Sequence, residues 1–274
     1  MRSGGISLQV ISHVPVNSNP NTCRKANDAL HASISVNPIR YAAFALLPLS
    51  DPKEAATELV RCISKLRFVG AFINHRHEGE YLDADQFRPI LAAAEQFSAP
   101  LYIRPSFPTP ANIARYRGNY SESITLSLST FDFGWSSDTA LCILRLFAAR
   151  LFDRYAKIKI IIGQMGQMLP FIFDHLLDVT QKWTEKPKRD FKDVWFTNIW
   201  VTTSGMFSLA PMACLINTIP ADRILFSVGY PFSENIKGKK FLEDLKASGL
   251  VTQAELEDIV FKNAETLLGL RAQK

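Results

Sequence analysis

The feature that most constrains this chain is an alternation. Short runs rich in β-branched and aromatic residues recur between longer segments whose apolar residues follow a helical period. The runs fall at 6–11, 41–47, 68–73, 101–103, 158–162, 199–203 and 224–228. The helical segments fall at 22–36, 51–65, 84–97, 138–154, 169–181, 208–218 and 235–248, with a last helix over 253–268. Two starts are written out in cap residues: Ser50-Asp51-Pro52 ahead of Lys53-Glu54, and Thr252 ahead of Glu255 and Glu257. Strands separated by whole helices pair in parallel through right-handed crossovers, so the pattern predicts an α/β fold, a TIM-type (β/α) barrel. No Pro/Gly/Ser linker divides the chain, which predicts one domain over 1–274.

A barrel has eight strands, and the pattern supplies seven, beginning near residue 1. Either an eighth is hidden in the irregular stretch 107–135, or the N-terminal strand–helix unit is missing. An open barrel exposes two unpaired edges beside an apolar interior, which predicts closure by another segment, by a partner chain or by domain swapping.

Composition removes several function classes. With 19 Phe, 7 Tyr and 4 Trp against 13 Gly, the chain is not a disordered or low-complexity protein. No apolar stretch approaches the roughly 18 residues of a membrane span, and the start MRSGGISLQVIS has no signal-peptide core. The net charge of +5 is scattered; its densest run, 182–189, contains Glu185 and Pro187 and reads as a solvated loop rather than a nucleic-acid patch. Cys23, Cys62, Cys142 and Cys214 show no C-x-x-C spacing, which predicts reduced thiols in a cytoplasmic protein and no zinc. No G-x-S-x-G, phosphate-loop or dinucleotide fingerprint occurs.

Of five histidines, His75 and His77 follow the strand at 68–73, at the end expected to face the pocket. The run Asn74-His75-Arg76-His77-Glu78 is rich in groups able to move protons, so both are candidate general acid/bases. They are a poor metal pair, because no third ligand stands at a fitting position. His13 ends the first strand, and His31 lies on a predicted helix. Phe133, Trp135, Tyr230 and Phe232 near the strand ends are candidates for an aromatic wall over a pocket, or for caps on the barrel core.

Segments 40–59, 68–83, 139–171, 202–208 and 221–232, together with Asn263-Ala264-Glu265-Thr266-Leu267-Leu268, resemble the amidohydrolase-related nonoxidative decarboxylases. That group includes the γ-resorcylate, 2,3-dihydroxybenzoate and aminocarboxymuconate semialdehyde enzymes. The resemblance implies a barrel holding one divalent metal at the C-terminal strand ends, an absent first strand, and a homodimer. It also locates departures: Arg104-Pro105 stands where the family has His-Pro, Gly163-Gln164-Met165-Gly166-Gln167 where it has Gly-His-Met-Gly-Glu, and Gly229-Tyr230-Pro231-Phe232 where it has Asp-Tyr-Pro-Phe. His175 stands where the family has a carboxylate-binding Arg, and Ser204-Gly205 resembles its strand-end motif.

Arg cannot ligate a metal, and neither Gly nor an amide supplies the donor a transition ion needs, so no metal and no cofactor is expected. The two lost carboxylates, now Gly229 and Gln167, would have been stranded without the cation, which makes the replacements mutually coherent. Arg104 then reads either as a clamp on a carboxylate or enolate, or as a salt-bridged residue at the barrel mouth.

Two functions remain open. One is a metal-independent, decarboxylase-like lyase of secondary metabolism acting on an aromatic or polyketide-like small molecule by cyclisation, isomerisation, dehydration or decarboxylation. Its catalytic candidates are His75, His77, Arg104 and Gln164, and its substrate-binding candidates Gln167, His175, Trp135, Ser204 and Tyr230. The other is a pseudoenzyme that keeps the fold as a binding partner.

Overall fold

The computed structural model describes residues 1 and 4–271, so residues 2–3 and 272–274 of the expected 1–274 span lie outside the described residues. All seven predicted strands form, each shorter than its apolar run except the one at 101–103, which gains Arg104. They are β1 (Gln9–Ile11), β2 (Tyr41–Ala43), β3 (Ala71–Asn74), β6 (Leu101–Arg104), β7 (Ile160–Ile162), β8 (Ile199–Thr202) and β9 (Ile224–Leu225). A small antiparallel hairpin, β4 (Arg76–His77) and β5 (Glu80–Tyr81), follows β3. Its turn residues Glu78 and Gly79 both take positive φ, as the tightest hairpin turns require.

The parallel order is β3-β6-β7-β8-β9 in one sheet and β1-β2 in another, and a parallel bridge from Ala45 to Ala71 joins the two. The result is a barrel wall of the expected kind. Among the described residues β9 does not pair with β1, so the wall is open along one seam.

Helices alternate with the strands, and several begin where cap chemistry directs. In α1 (Pro20–Ser35), Asn19 accepts from the Thr22 N–H and Pro20 occupies the first turn. In α2 (Pro52–Leu66), Asp51 accepts from the Glu54 N–H. In α12 (Gln253–Glu257), Thr252 and Glu255 form the reciprocal capping box.

Several predicted helices are less regular than their sequence period. The segment 84–97 opens as a 3-10 turn before α3 (Arg88–Gln96). The predicted 138–154 helix starts earlier, as α6 (Gly134–Ala148), and is cut from α7 (Leu151–Arg154) by a left-handed Arg150. The last helix is interrupted by a π turn at Asp258–Lys262 before α13 (Asn263–Leu268). The irregular stretch 107–135 hides no strand; it holds α4 (Pro110–Ala114), α5 (Glu122–Ser127) and a π turn at Leu128–Asp132 leading into α6. The remaining helices are α8 (Phe173–Thr180), α9 (Phe191–Thr197), α10 (Leu209–Ile216) and α11 (Asn235–Ser248).

Apolar burial sorts by strand alternation. Ile73, Leu101, Ile103, Ile160, Ile162, Ile199 and Val201 pack outward with helix residues such as Leu59, Ile90 and Ile143. Phe72, Tyr102, Ile161, Trp200 and Leu225 point inward and, with Phe44 and with Leu267 from α13, fill the barrel. Among the described residues, no helix is long and apolar enough to cross a membrane.

Candidate active site

The same alternation, carried to the C-terminal strand ends, sets the mouth of the barrel. Asn74 and Arg104 are register partners at the ends of β3 and β6, on the inward face two residues beyond Phe72 and Tyr102. Below them the Tyr102 hydroxyl meets Thr202 Oγ1 at 2.8 Å, a polar floor that crosses the barrel from β6 to β8. Burial pushes the Tyr102 phenol above its ordinary range, so it stays neutral.

Arg104 is partly buried, and its guanidinium lies 5.8 Å from the centre of the Trp135 ring. No carboxylate among the described residues lies within ion-pair distance of it. Burial pulls its pKa down from the ordinary arginine value, the signature of a desolvated cation without a counter-ion. Trp135 stands on the first turn of α6 against Phe131 at 4.3 Å and Phe107 at 5.6 Å. The π turn at Leu128–Asp132 is what delivers Phe131 to this cluster. Asn74 Oδ1 and the Trp135 indole nitrogen are both buried without a hydrogen-bond partner. A cation, an aromatic face and unpaired polar atoms at one strand end can hold an aromatic anion.

After β7 the backbone is strained: Gln164, Met165, Gly166 and Gln167 all take positive φ. Across this turn Gln167 Nε2 donates to Gln164 Oε1 at 2.9 Å, while Gln167 Oε1 is buried and unpaired. The end of β8 adjoins it, since a Cβ on Gly205 would lie 3.6 Å from Gln164 Nε2. The end of β9 adjoins that in turn: Gly229 has φ +78°, and a Cβ there would meet Ser204 Oγ at 2.8 Å. Arg104, Gln164, Gln167 and Ser204 therefore stand on successive strand ends, β6 to β8, with Trp135 beside Arg104.

The histidines lie elsewhere. Alternation turns His75 outward, where it is fully buried between the hairpin and α6, and Asn74 takes the inward position. His75 Nδ1 accepts from the Ser106 N–H at 3.1 Å, and Nε2 faces Asp138 at 3.8 Å, too far for a hydrogen bond. Burial outweighs Asp138 and holds the imidazole below its ordinary pKa. Burial pushes the Asp138 carboxyl up, but His75 and the Arg76 guanidinium, 3.0 Å away, outweigh it and leave it below the usual range. His77 is tied to Asn17 at 3.2 Å. His13 bonds the Ala26 carbonyl, and His31 tilts against Phe68. His175 is exposed on α8. Tyr230 is 63% exposed and Phe232 84%, so of the four aromatic candidates only Trp135 touches Arg104. Asn74, Phe107, Phe131 and Asp138 escaped the sequence reading; strict two-residue alternation from Phe72 signals Asn74, while the other three depend on long-range packing.

The model of the amidohydrolase family matches residues 9–270. The chain belongs to that family. It is similar to the decarboxylase orsB of Emericella nidulans, 40% identical over 100% of this chain and 85% of that protein. It is also similar to a γ-resorcylate decarboxylase of a Polaromonas species, 34% identical over 91% of this chain and 76% of that one. The crystal structure of 2,6-dihydroxybenzoate decarboxylase from Rhizobium superposes with a TM-score of 0.86 at 31% identity, covering 98% of this chain and 86% of that one. A Polaromonas dihydroxybenzoic acid decarboxylase with bound manganese and 2-nitroresorcinol superposes with a TM-score of 0.82 at 30% identity, over 97% and 79%.

This amidohydrolase chain does not fit such a metal. Among the described residues no three His, Cys, Asp or Glu side chains gather where they could hold one. The inward positions at the strand ends carry Arg104, whose fixed charge repels a divalent ion, and Gly229, which has no donor. The positive φ of Gly229 and the nearby Ser204 hydroxyl also leave an aspartate there strained and crowded.

Proposed function

We propose that the chain is a metal-independent, decarboxylase-like lyase of secondary metabolism that takes an aromatic or polyketide-like carboxylic acid into the barrel mouth. The observation that carries the reading is Arg104: a desolvated guanidinium on the inner face, against Trp135, with no carboxylate of the described chain to neutralise it.

The fork of a guanidinium matches two oxygens at once. Bound to the carboxylate alone it stabilises the ground state as much as the transition state and lowers KM without raising kcat. Bound across the carboxylate and an ortho oxygen it does more. When the carbon bearing the carboxylate takes a proton and CO2 leaves, the electron pair of the broken C–C bond returns through the ring to that oxygen. The cation then meets growing negative charge. The same placement would stabilise the enolate of a cyclisation, isomerisation or dehydration. Trp135 supplies the stacking face, and the Gln164–Gln167 pair and Ser204 offer hydrogen bonds to ring hydroxyls.

A second reading, a binding protein without turnover, is favoured by one observation: His75, the nearest candidate acid/base in sequence, is turned away from the mouth and buried. Titration with 2,6-dihydroxybenzoate, followed by an assay for CO2 and resorcinol, separates the two. Binding that depends on Arg104 together with turnover supports the lyase. Binding without turnover supports the second reading, and no binding sinks both. The proposal includes a homodimer, supported by the open seam and by the exposed Phe171 and Phe232.

A further inference from the structure

We propose that His75 is a positioning residue that clamps Arg104 in the barrel mouth, a role that rests on the reading of Arg104 as the anion anchor. The backbone N–H of His75 donates to the Arg104 carbonyl at 2.8 Å, and the Ser106 N–H donates to the imidazole Nδ1 of His75 at 3.1 Å. Between these bonds lies Pro105, which has no N–H to give. One residue therefore grips both sides of the turn where the chain leaves β6, immediately after Arg104. The sheet holds Arg104 from the β3 side alone, because β7 pairs only as far as Ile103.

The residue is packed between the hairpin and α6, with Nε2 buried and without a hydrogen-bond partner. Tyr81 of β5 meets it edge-on at 5.4 Å, and Asp138 of α6 faces Nε2 at 3.8 Å. Cys142 of α6 donates to the His75 carbonyl at 3.4 Å. Arg76 of β4 pairs with Asp138 at 3.0 Å and donates to the Phe107 carbonyl at 3.5 Å, extending the grip one residue past Ser106. An imidazole that accepts at Nδ1 carries its proton at Nε2, toward Asp138. Protonation of Nδ1 would set two N–H groups against each other and open the clamp, so the clamp exists only with a neutral ring. Burial and Arg76 favour that neutral form, and Asp138 opposes it.

The test compares His75→Leu, which removes the acceptor, with His75→Asn, whose side-chain oxygen restores one near Nδ1, and with Ser106→Pro, which removes the donor and keeps His75. Two readouts are taken. The first needs no ligand: the Trp135 indole 1H–15N resonance, identified with Trp135→Phe and calibrated by its displacement in Arg104→Ala. The second is the Kd for 2,6-dihydroxybenzoate. His75→Leu and Ser106→Pro are expected to displace the indole signal toward its Arg104→Ala position and to weaken binding by about 10-fold, the equivalent of one lost hydrogen bond. His75→Asn is expected to restore both. Wild-type binding should also weaken in acid, at a pH below the ordinary histidine range, while His75→Asn stays flat there. An unmoved indole signal in a folded His75→Leu or Ser106→Pro protein overturns the clamp, as does His75→Asn behaving like His75→Leu. If wild type fails to bind 2,6-dihydroxybenzoate but the indole signal moves as expected, the anchor reading fails and the clamp survives.

Discussion

At the scale of single residues, a partly buried charge decides the chemistry. Arg104 sits against Trp135 with no counter-ion among the described residues, and a desolvated cation gains most from an anion that enters beside it. Arg104→Ala should weaken 2,6-dihydroxybenzoate binding by about 10- to 100-fold, in line with a charge-assisted hydrogen bond, and Arg104→Lys should recover only part of it, because an ammonium cannot fork. Calorimetric titration reads both. Gly229→Asp should not create a manganese site. Its φ of +78° and the Ser204 contact at 2.8 Å should instead cost about 1–2 kcal/mol, measurable by urea unfolding with and without manganese.

Acid sensitivity belongs to this scale as well. His75 titrates below its ordinary value and Asp138 below its own, so the unfolded chain binds more protons than the folded one as pH falls. Their contribution to stability is full above about pH 6.5 and is lost progressively in acid, first through His75. The Tm should fall between pH 7 and pH 5, and His75→Leu should flatten that part of the profile. Legibility in sequence divides at Asn74 and His75. The run Asn74-His75-Arg76-His77 shows proton-moving chemistry, but only alternation from Phe72 tells which side chain enters the barrel. It selects the amide over the imidazole.

At the scale of elements, strands and helices were readable because their apolar runs and caps are long enough to carry a period. What escaped was short or irregular. The two-residue strands β4 and β5 carry charged residues and no apolar run, and the π turn at Leu128–Asp132 leaves no periodic trace. Nor does sequence show the buried asparagines that stitch elements together. Asn27 bonds both the N–H and the carbonyl of Leu46, tying α1 to the chain beyond β2. Asn198 donates to the Ala156 and Ile158 carbonyls ahead of β7, and Asn263 to those of Ala221 and Ile224. Removing such a side chain strands buried backbone groups. Asn198→Ala should cost about 2–4 kcal/mol for its two lost bonds, seen as a fall of several degrees in Tm in a calorimetric scan.

At the scale of the whole molecule, family membership explains the architecture, and the open seam distinguishes this structure from a closed barrel. A cleft of about 600 Å³, lined by Met1, Gln9, Tyr41, Tyr230, Glu234, Asn235 and Ile236, lies beside β1. Unpaired edges and exposed aromatics attract a second surface, so light scattering coupled to size exclusion should give twice the 30.8 kDa chain mass. A monodisperse monomer would remove the dimer from the account. The strand order could be read from the spacing of apolar runs. The seam's mode of closure could not, because it depends on a surface and not on a period.

The central claim is that Arg104 does the anion-holding work of a metal. Its most direct measurement is calorimetric titration of 2,6-dihydroxybenzoate into wild-type protein and Arg104→Ala, each with excess chelator and with added manganese. Wild-type binding should be the same under both conditions and about 10- to 100-fold weaker in the variant. Binding that appears only with manganese, or that is undiminished in Arg104→Ala, would contradict it.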